Sequence, residues 1–152
     1  HTVDTLYTYG RQIFCKCGYK MIFDAKGYLH GDPQIVSTTS EWEELQNEVY
    51  RRHFAAGAYF MEDKVMMLFE FKDKCEISLS NLASIGTLEG RADRIIIGDF
   101  QFLFEKIEKM ELMFGGRWLV FGYEGRHFMI SDNNACFNKY IALYLWATGQ
   151  PM

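Results

Sequence analysis

The sequence predicts an α+β fold, mainly β with two helices, and three observations carry that expectation. From Gly57 to Ile130, apolar and polar residues alternate in short runs with the period of half-buried strands. Turn chemistry separates the runs at Glu62-Asp63-Lys64, Lys72-Asp73-Lys74, Gly98-Asp99, Gly115-Gly116 and Glu124-Gly125. On either side the period becomes helical: Trp42, Leu45, Val49 and His53 share one face, and Phe137, Tyr140, Ile141, Tyr144 and Leu145 share another.

The elements follow in order. Residues 1–32 read as a hairpin arm, with β-prone runs Thr5-Leu6-Tyr7-Thr8, Gln12-Ile13-Phe14 and Tyr19-Lys20-Met21-Ile22-Phe23 before an Asp24-Ala25-Lys26-Gly27 turn. Residues 33–56 read as a linking amphipathic helix, its start marked by the capping-box pattern Ser40-Glu41-Trp42-Glu43. Residues 57–152 hold the strand runs Ala58 to Met61, Val65 to Phe71, Cys75 to Leu79, Arg94 to Ile97, Phe100 to Phe104, Lys109 to Phe114, Trp118 to Tyr123 and His127 to Ile130. Gly86-Thr87-Leu88-Glu89-Gly90 reads as a turn between strands. Ser131-Asp132-Asn133-Asn134 offers N-caps for the last helix, which Gly149 and Pro151 stop. An antiparallel meander of about seven strands closed by a C-terminal helix resembles a pleckstrin-homology-like barrel.

Composition narrows the function classes. With 152 residues, 49% of them hydrophobic, the chain holds enough apolar material for one ordinary globular core and a small satellite. Its net charge is -4 and its Lys and Arg residues are scattered singly, so no basic face tracks a phosphate backbone and no nucleic-acid partner is expected. Four unclustered cysteines fit a reducing compartment, and a cytoplasmic protein is expected. No apolar run approaches the eighteen or so residues of a membrane span.

Cys15 and Cys17, in Phe14-Cys15-Lys16-Cys17-Gly18, look like half of a zinc site. Structural zinc takes four ligands, usually two Cys pairs, and this chain supplies one pair. With a first residue other than Met, that leads us to expect a fragment of a longer protein, carrying an incomplete metal site and no cofactor of its own, with zinc bound when the protein is whole. His127-Phe128-Met129-Ile130-Ser131-Asp132 fits the H-x4-D spacing of glycerolipid acyltransferases, in which His acts as base and Asp orients it. Four His and eight Asp make that spacing a common coincidence, and Phe128 to Ile130 reads as strand interior, so no catalytic residue is expected here. Glu105, Glu108 and Glu111, interleaved with Lys106 and Lys109, read as a solvated face. Met66-Met67-Leu68-Phe69 reads as a buried strand.

The residues Tyr9-Gly10, Phe14-Cys15-Lys16-Cys17-Gly18-Tyr19, Tyr28-Leu29-His30-Gly31-Asp32, Thr39-Ser40-Glu41-Trp42 and Gln46 resemble the tail that follows the catalytic domain in bacterial lysophospholipid (1-acyl-glycerol-3-phosphate) acyltransferase-like proteins. The resemblance spans about Asp4 to Gln46, and the barrel-like remainder agrees in outline. The chain departs from that pattern in having no first Cys pair and in C-x-C where the family has C-x-x-C. The resemblance implies a non-catalytic accessory region whose partner is an upstream acyltransferase domain or another protein, with any membrane contact indirect, through the parent protein. The alternative is a free-standing module that binds a peptide, a partner protein or a lipid headgroup. For a headgroup, Lys64, Lys72 and Lys74 are a thin cationic supply beside Glu62, Asp63 and Asp73.

Overall fold

The computed structural model describes residues 6–9, 11–15, 18–57, 60–72, 78–132 and 137–151, with backbone alone at 6–9, 15 and 62–64. It confirms a mainly β, α+β chain with two helices and antiparallel sheets. The chain forms two compact units, residues 1–52 and 53–152. Against the expected divisions 1–32, 33–56 and 57–152, the helix is therefore not a unit of its own.

The first unit is a four-stranded meander in the order β1-β2-β3-β4, with β1 at Leu6–Tyr9, β2 at Gln12–Cys15, β3 at Lys20–Phe23 and β4 at Leu29–Gly31. The β3–β4 turn is tied by Asp24, whose Oδ1 accepts the N–H groups of Lys26 at 2.7 Å and Tyr28 at 3.0 Å, with Gly27 at φ +87°. Helix α1, Thr39–Ala55, starts one residue upstream of the expected box. Thr38 Oγ1 accepts from Glu41 N at 3.1 Å, and the Glu41 carboxylate reaches back to Ser37 N at 2.7 Å, so the capping pair is Thr38 and Glu41. Trp42 and Val36 join Ile13, Met21 and Leu29 in one buried cluster, and Leu45 packs against it. Gln34 holds the approach to the helix, donating to Leu29 O and Val36 O and accepting from Gly31 N.

The second unit is a seven-stranded antiparallel sheet followed by a helix. Its strands are β5 Phe60–Phe71, β6 Leu82–Arg91, β7 Arg94–Ile97, β8 Phe100–Leu103, β9 Ile107–Met113, β10 Trp118–Tyr123 and β11 Arg126–Ser131, in the spatial order β8-β7-β6-β5-β11-β10-β9. The expected barrel is not closed: the sheet is open, with β8 and β9 as its edges. The two edges follow one another in the chain through the 3-10 turn Phe104–Lys106, and Phe102 of β8 meets Phe121 and Tyr123 of β10, so the strip of strands curls back on itself.

Two expectations fail inside this sheet. Glu62-Asp63-Lys64 is not a turn: β5 runs through it, absorbing the irregularity as a register shift between Met61 and Val65. Nor is Gly86 to Gly90 a turn; it is the middle of β6. Its glycines answer to close packing rather than to a bend. A Cβ on Gly90 would stand 2.9 Å from a Tyr140 ring carbon, and one on Gly86 2.6 Å from the backbone N of Gly98. The run expected from Cys75 to Leu79 falls partly outside the described residues, and Leu79 opens a 3-10 turn to Asn81.

Helix α2, Asn138–Ala147, is buried on several sides through Tyr140, Ala142, Leu143 and Tyr144, a wider burial than one amphipathic face. Its start carries no side-chain cap at Phe137, and Asn133 and Asn134 lie outside the described residues. Two tyrosines fix it to the sheet: Tyr140 donates to Leu88 O at 3.2 Å and Tyr144 reaches Ile107 O at 3.5 Å. The Lys139 ammonium, on a side chain only 2% exposed, sits 5.5 Å from the Phe60 ring centroid and 5.3 Å from that of Tyr140.

Candidate functional site

The interior of the curled sheet is aromatic. Alternation along β8, β10 and β11 sends Phe102, Phe121 and Phe128 inward. There Phe102 meets Phe121 edge-on at 4.9 Å, lies 4.7 Å from Phe128 and stands perpendicular to Tyr123 at 5.1 Å. The α2 tyrosines bond to Leu88 and Ile107 and lean on Gly90, none of which lines the opening described next.

That opening is a pocket of about 320 Å³, lined by Phe100, Gln101, Phe102, Tyr123, Glu124, Arg126 and Phe128. Four of the lining residues are aromatic, and Glu124 and Arg126 bring charge; Gln101 falls between Phe100 and Phe102 in β8, so its side chain lies on the other face of that strand. The volume lies at the lower end of the small-ligand range. Phe100 and Phe102 come from the same face of β8, their rings nearly parallel at 16° with centroids 6.1 Å apart. The opposite side is the β10–β11 hairpin, whose turn Glu124-Gly125 has φ values of +51° and +75°.

The rim charges are held in pairs. Glu124 Oε1 accepts from Lys106 Nζ at 2.6 Å, which holds the lysine above its ordinary pKa. Arg126 Nη1 lies 3.3 Å from Glu70 Oε1. Glu108 Oε1 accepts Gly125 N at 3.2 Å and pins the turn from below. Gln101 Oε1 takes Arg94 Nη1 at 3.0 Å, which leaves the Gln101 amide nitrogen toward solvent. Arg94 also grips Asp93 through two nitrogens, and that contact lowers the Asp93 carboxyl below its usual range.

The residues singled out in the sequence are not brought together here. Cys17 and the Cys15 side chain lie outside the described residues; the Cys15 backbone ends β2 opposite Leu6. The donor set on offer is two thiolates where tetrahedral zinc takes four, and among the described residues no three His, Cys, Asp or Glu side chains form a metal-holding group. His127 is exposed, between Gly122 and Phe71 in the ladder, and Asp132 follows the end of β11. Five steps of extended chain set those two residues about 16 Å apart on opposite faces, too far for a His–Asp dyad. His30 Nε2 instead meets Asp24 Oδ2 at 3.0 Å on the exposed β3–β4 turn. Glu111 is paired with Lys109 at 2.6 Å, and the neighbouring Glu108 and Lys106 are engaged as above.

None of the pocket residues was marked by sequence motif. The usable signal was Phe100-Gln101-Phe102 beside the Gly98-Asp99 turn and Tyr123 beside Glu124-Gly125: aromatic residues at strand ends, where a closed core has no further layer to cover them. Among the described residues no helix is long and apolar enough to cross a membrane. No family model, no curated protein and no solved structure matches the chain.

Proposed function

We propose that this chain is a non-catalytic interaction region whose second unit is pleckstrin-homology-like and receives a partner polypeptide at the aromatic mouth of its sheet. The observation that carries the reading is the pocket itself. Apolar ring surface converges there with charged side chains able to orient a ligand, on a sheet that α2 holds at Leu88 and Ile107. The strand order supports the label: every neighbour is sequential except β5 against β11, and the helix follows the last strand. The parent protein on this reading is a lysophospholipid acyltransferase-like enzyme, supported by the resemblance over about Asp4 to Gln46, and the chain's place in it is that of an accessory tail near, but not in, the membrane. Lipid headgroup recognition is the weaker alternative, because Arg126, the cation lining the pocket, already faces Glu70, and the nearby Lys106 faces Glu124.

The test is selection of a displayed random peptide library against the isolated chain, with the hits titrated into isotope-labelled protein. Expected are saturable shifts centred on Phe100, Tyr123 and Arg126, lost in Phe100→Ala, alongside no flotation with phosphatidylserine vesicles. Flotation that tracks anionic lipid and disappears in Arg126→Glu would replace the peptide reading with the headgroup one. Acyl transfer from a thioester to lysophosphatidic acid by the isolated chain, abolished by His127→Ala, would overturn the non-catalytic reading altogether.

A further inference from the structure

The two edges of the second sheet are built differently, and from that difference we infer how the partner polypeptide engages: it adds as an extended strand along β8 and turns one apolar side chain into the pocket. This rests on the reading of the pocket as a peptide site.

The β7–β8 hairpin decides which main-chain groups β8 keeps free. Gly98 and Asp99 form a two-residue turn, so Ile97 and Phe100 face each other as a hydrogen-bonded pair, and the same pairing recurs at Ile95 and Phe102. The Phe104 N–H, donating to Asp93 O at 2.9 Å, continues the series. Phe100 and Phe102 therefore direct their main chain to β7, and Gln101 and Leu103 direct theirs the other way, along the free edge. The 3-10 turn takes Leu103 O. The Gln101 N–H, the Gln101 C=O and the Leu103 N–H have no backbone partner among the described residues.

That edge borders the pocket. Gln101 lines it although its side chain is on the other face of β8, bonded to Arg94, so what it presents there is main chain. Across the opening stand Tyr123, Glu124, Arg126 and Phe128 of the β10–β11 hairpin. The opposite edge, β9, is guarded. Glu108, Lys109 and Glu111 charge it, its ladder with β10 is interrupted between Phe121 and Tyr123, and Tyr144 of α2 reaches Ile107 O. By contrast β8 reads Phe-Gln-Phe-Leu, with no charge, no proline and an unbroken ladder to β7. So short a strand limits its partner to the free groups of Gln101 and Leu103, and the aromatic pocket supplies the anchor that these few hydrogen bonds need. A second copy of the chain does not fit as the occupant, because its own β8 holds Phe102 inside and has no side chain to turn into the pocket.

The experiment is amide hydrogen exchange on the isotope-labelled chain, free and saturated with peptides selected from the random library. Expected is fast exchange at Gln101 and Leu103 in the free chain, slowed about tenfold or more by peptide, with Phe100 and Phe102 unchanged. Gln101→Pro removes an N–H that β7 does not use, a change that an edge strand tolerates, and should weaken Kd about tenfold; Gln101→Ala, which keeps the N–H, should leave Kd unchanged. The exchange measurement uses the unaltered chain and decides the matter even where the proline variant does not fold. If peptides shift the pocket but neither amide slows, or if Gln101→Pro binds as tightly as Gln101→Ala, the strand inference falls while the peptide-site reading stands. Protection of both amides in the free chain that grows with protein concentration would give the edge to a second copy and also overturn the inference. If no peptide shifts the pocket, both readings fall.

Discussion

The two units solve the same problem, covering one face of an antiparallel sheet, by different means. The first has short strands and borrows its cover from a single helix: Trp42 and Val36 complete a cluster whose sheet contribution is Ile13, Met21 and Leu29. The second curls its sheet around its own aromatic residues and adds α2 against β6 and β9. The first therefore depends on one or two side chains, whereas the second spreads the same task over many and can leave part of its interior open as a pocket. Small cores are where a single truncation decides folding.

The sharpest way to break the comparison is Trp42→Ala. It should cost about 3–5 kcal/mol, enough to unfold the first unit while the second keeps its dispersed amide spectrum. Phe102→Ala removes a ring that is 2% exposed and touches Phe100, Phe121, Tyr123 and Phe128. A similar cost, about 3–5 kcal/mol by urea titration, should here leave a weakened but folded unit, because its neighbours retain one another. Equal collapse in both variants would erase the distinction.

Smaller effects sharpen it. Gly90→Ala pushes a methyl into Tyr140 and Leu143, at 2.9 and 3.0 Å. It should destabilise by about 1–3 kcal/mol, read as faster amide exchange in α2 than in the sheet. Glu124→Asn goes the other way. Glu124 holds φ +51° at the first turn position of a two-residue hairpin, where Asn is favoured. Relief of the left-handed cost, about 1 kcal/mol, should outweigh the exposed Lys106 pair, which is worth less, and raise the urea midpoint.

The smallest change concerns Asp24 in the first unit. The His30 hydrogen bond, and then the Tyr28 and Lys26 N–H groups, hold its carboxyl below the ordinary carboxylate range. A depressed folded pKa means that the contribution is present above the ordinary aspartate value of 3.8 and is lost as pH falls through the lower folded value. Asp24→Asn should therefore flatten the acid limb of the first unit's stability curve and leave that of the second unchanged.

Much of this architecture was legible in the residues. Arg94 to Ile97 and Trp118 to Tyr123 are short runs of β-branched and aromatic residues between turn signals, and both are strands at those limits. What escaped was set by tertiary contact. Gly86 and Gly90 look like punctuation until Tyr140 and Gly98 are seen lying against them. Glu62-Asp63-Lys64 has turn composition, yet the β6 ladder carries β5 through it. The capping pair was read at Ser40 and Glu43 because two Ser/Thr-x-x-Glu frames overlap, and only the hydrogen bonds of Thr38 and Glu41 distinguish them. The pocket was not legible because Phe100 and Tyr123 belong to strands that alternate like any other. Only the curl of the sheet brings them to one mouth.

The pairing of β5 with β11, Phe69 opposite Met129, also has a meaning in time. Every strand pair of the first unit joins neighbours in the chain, so as a polypeptide leaves the ribosome that sheet can form once α1 has followed it out. The second sheet has its earliest strand waiting beside an empty place for its last, and until Arg126 to Ser131 has been synthesised the inward face of β5 has one neighbour instead of two. The nascent chain thus carries a finished small domain ahead of a long, apolar, half-paired strand, and that interval is when it is most exposed to mispairing.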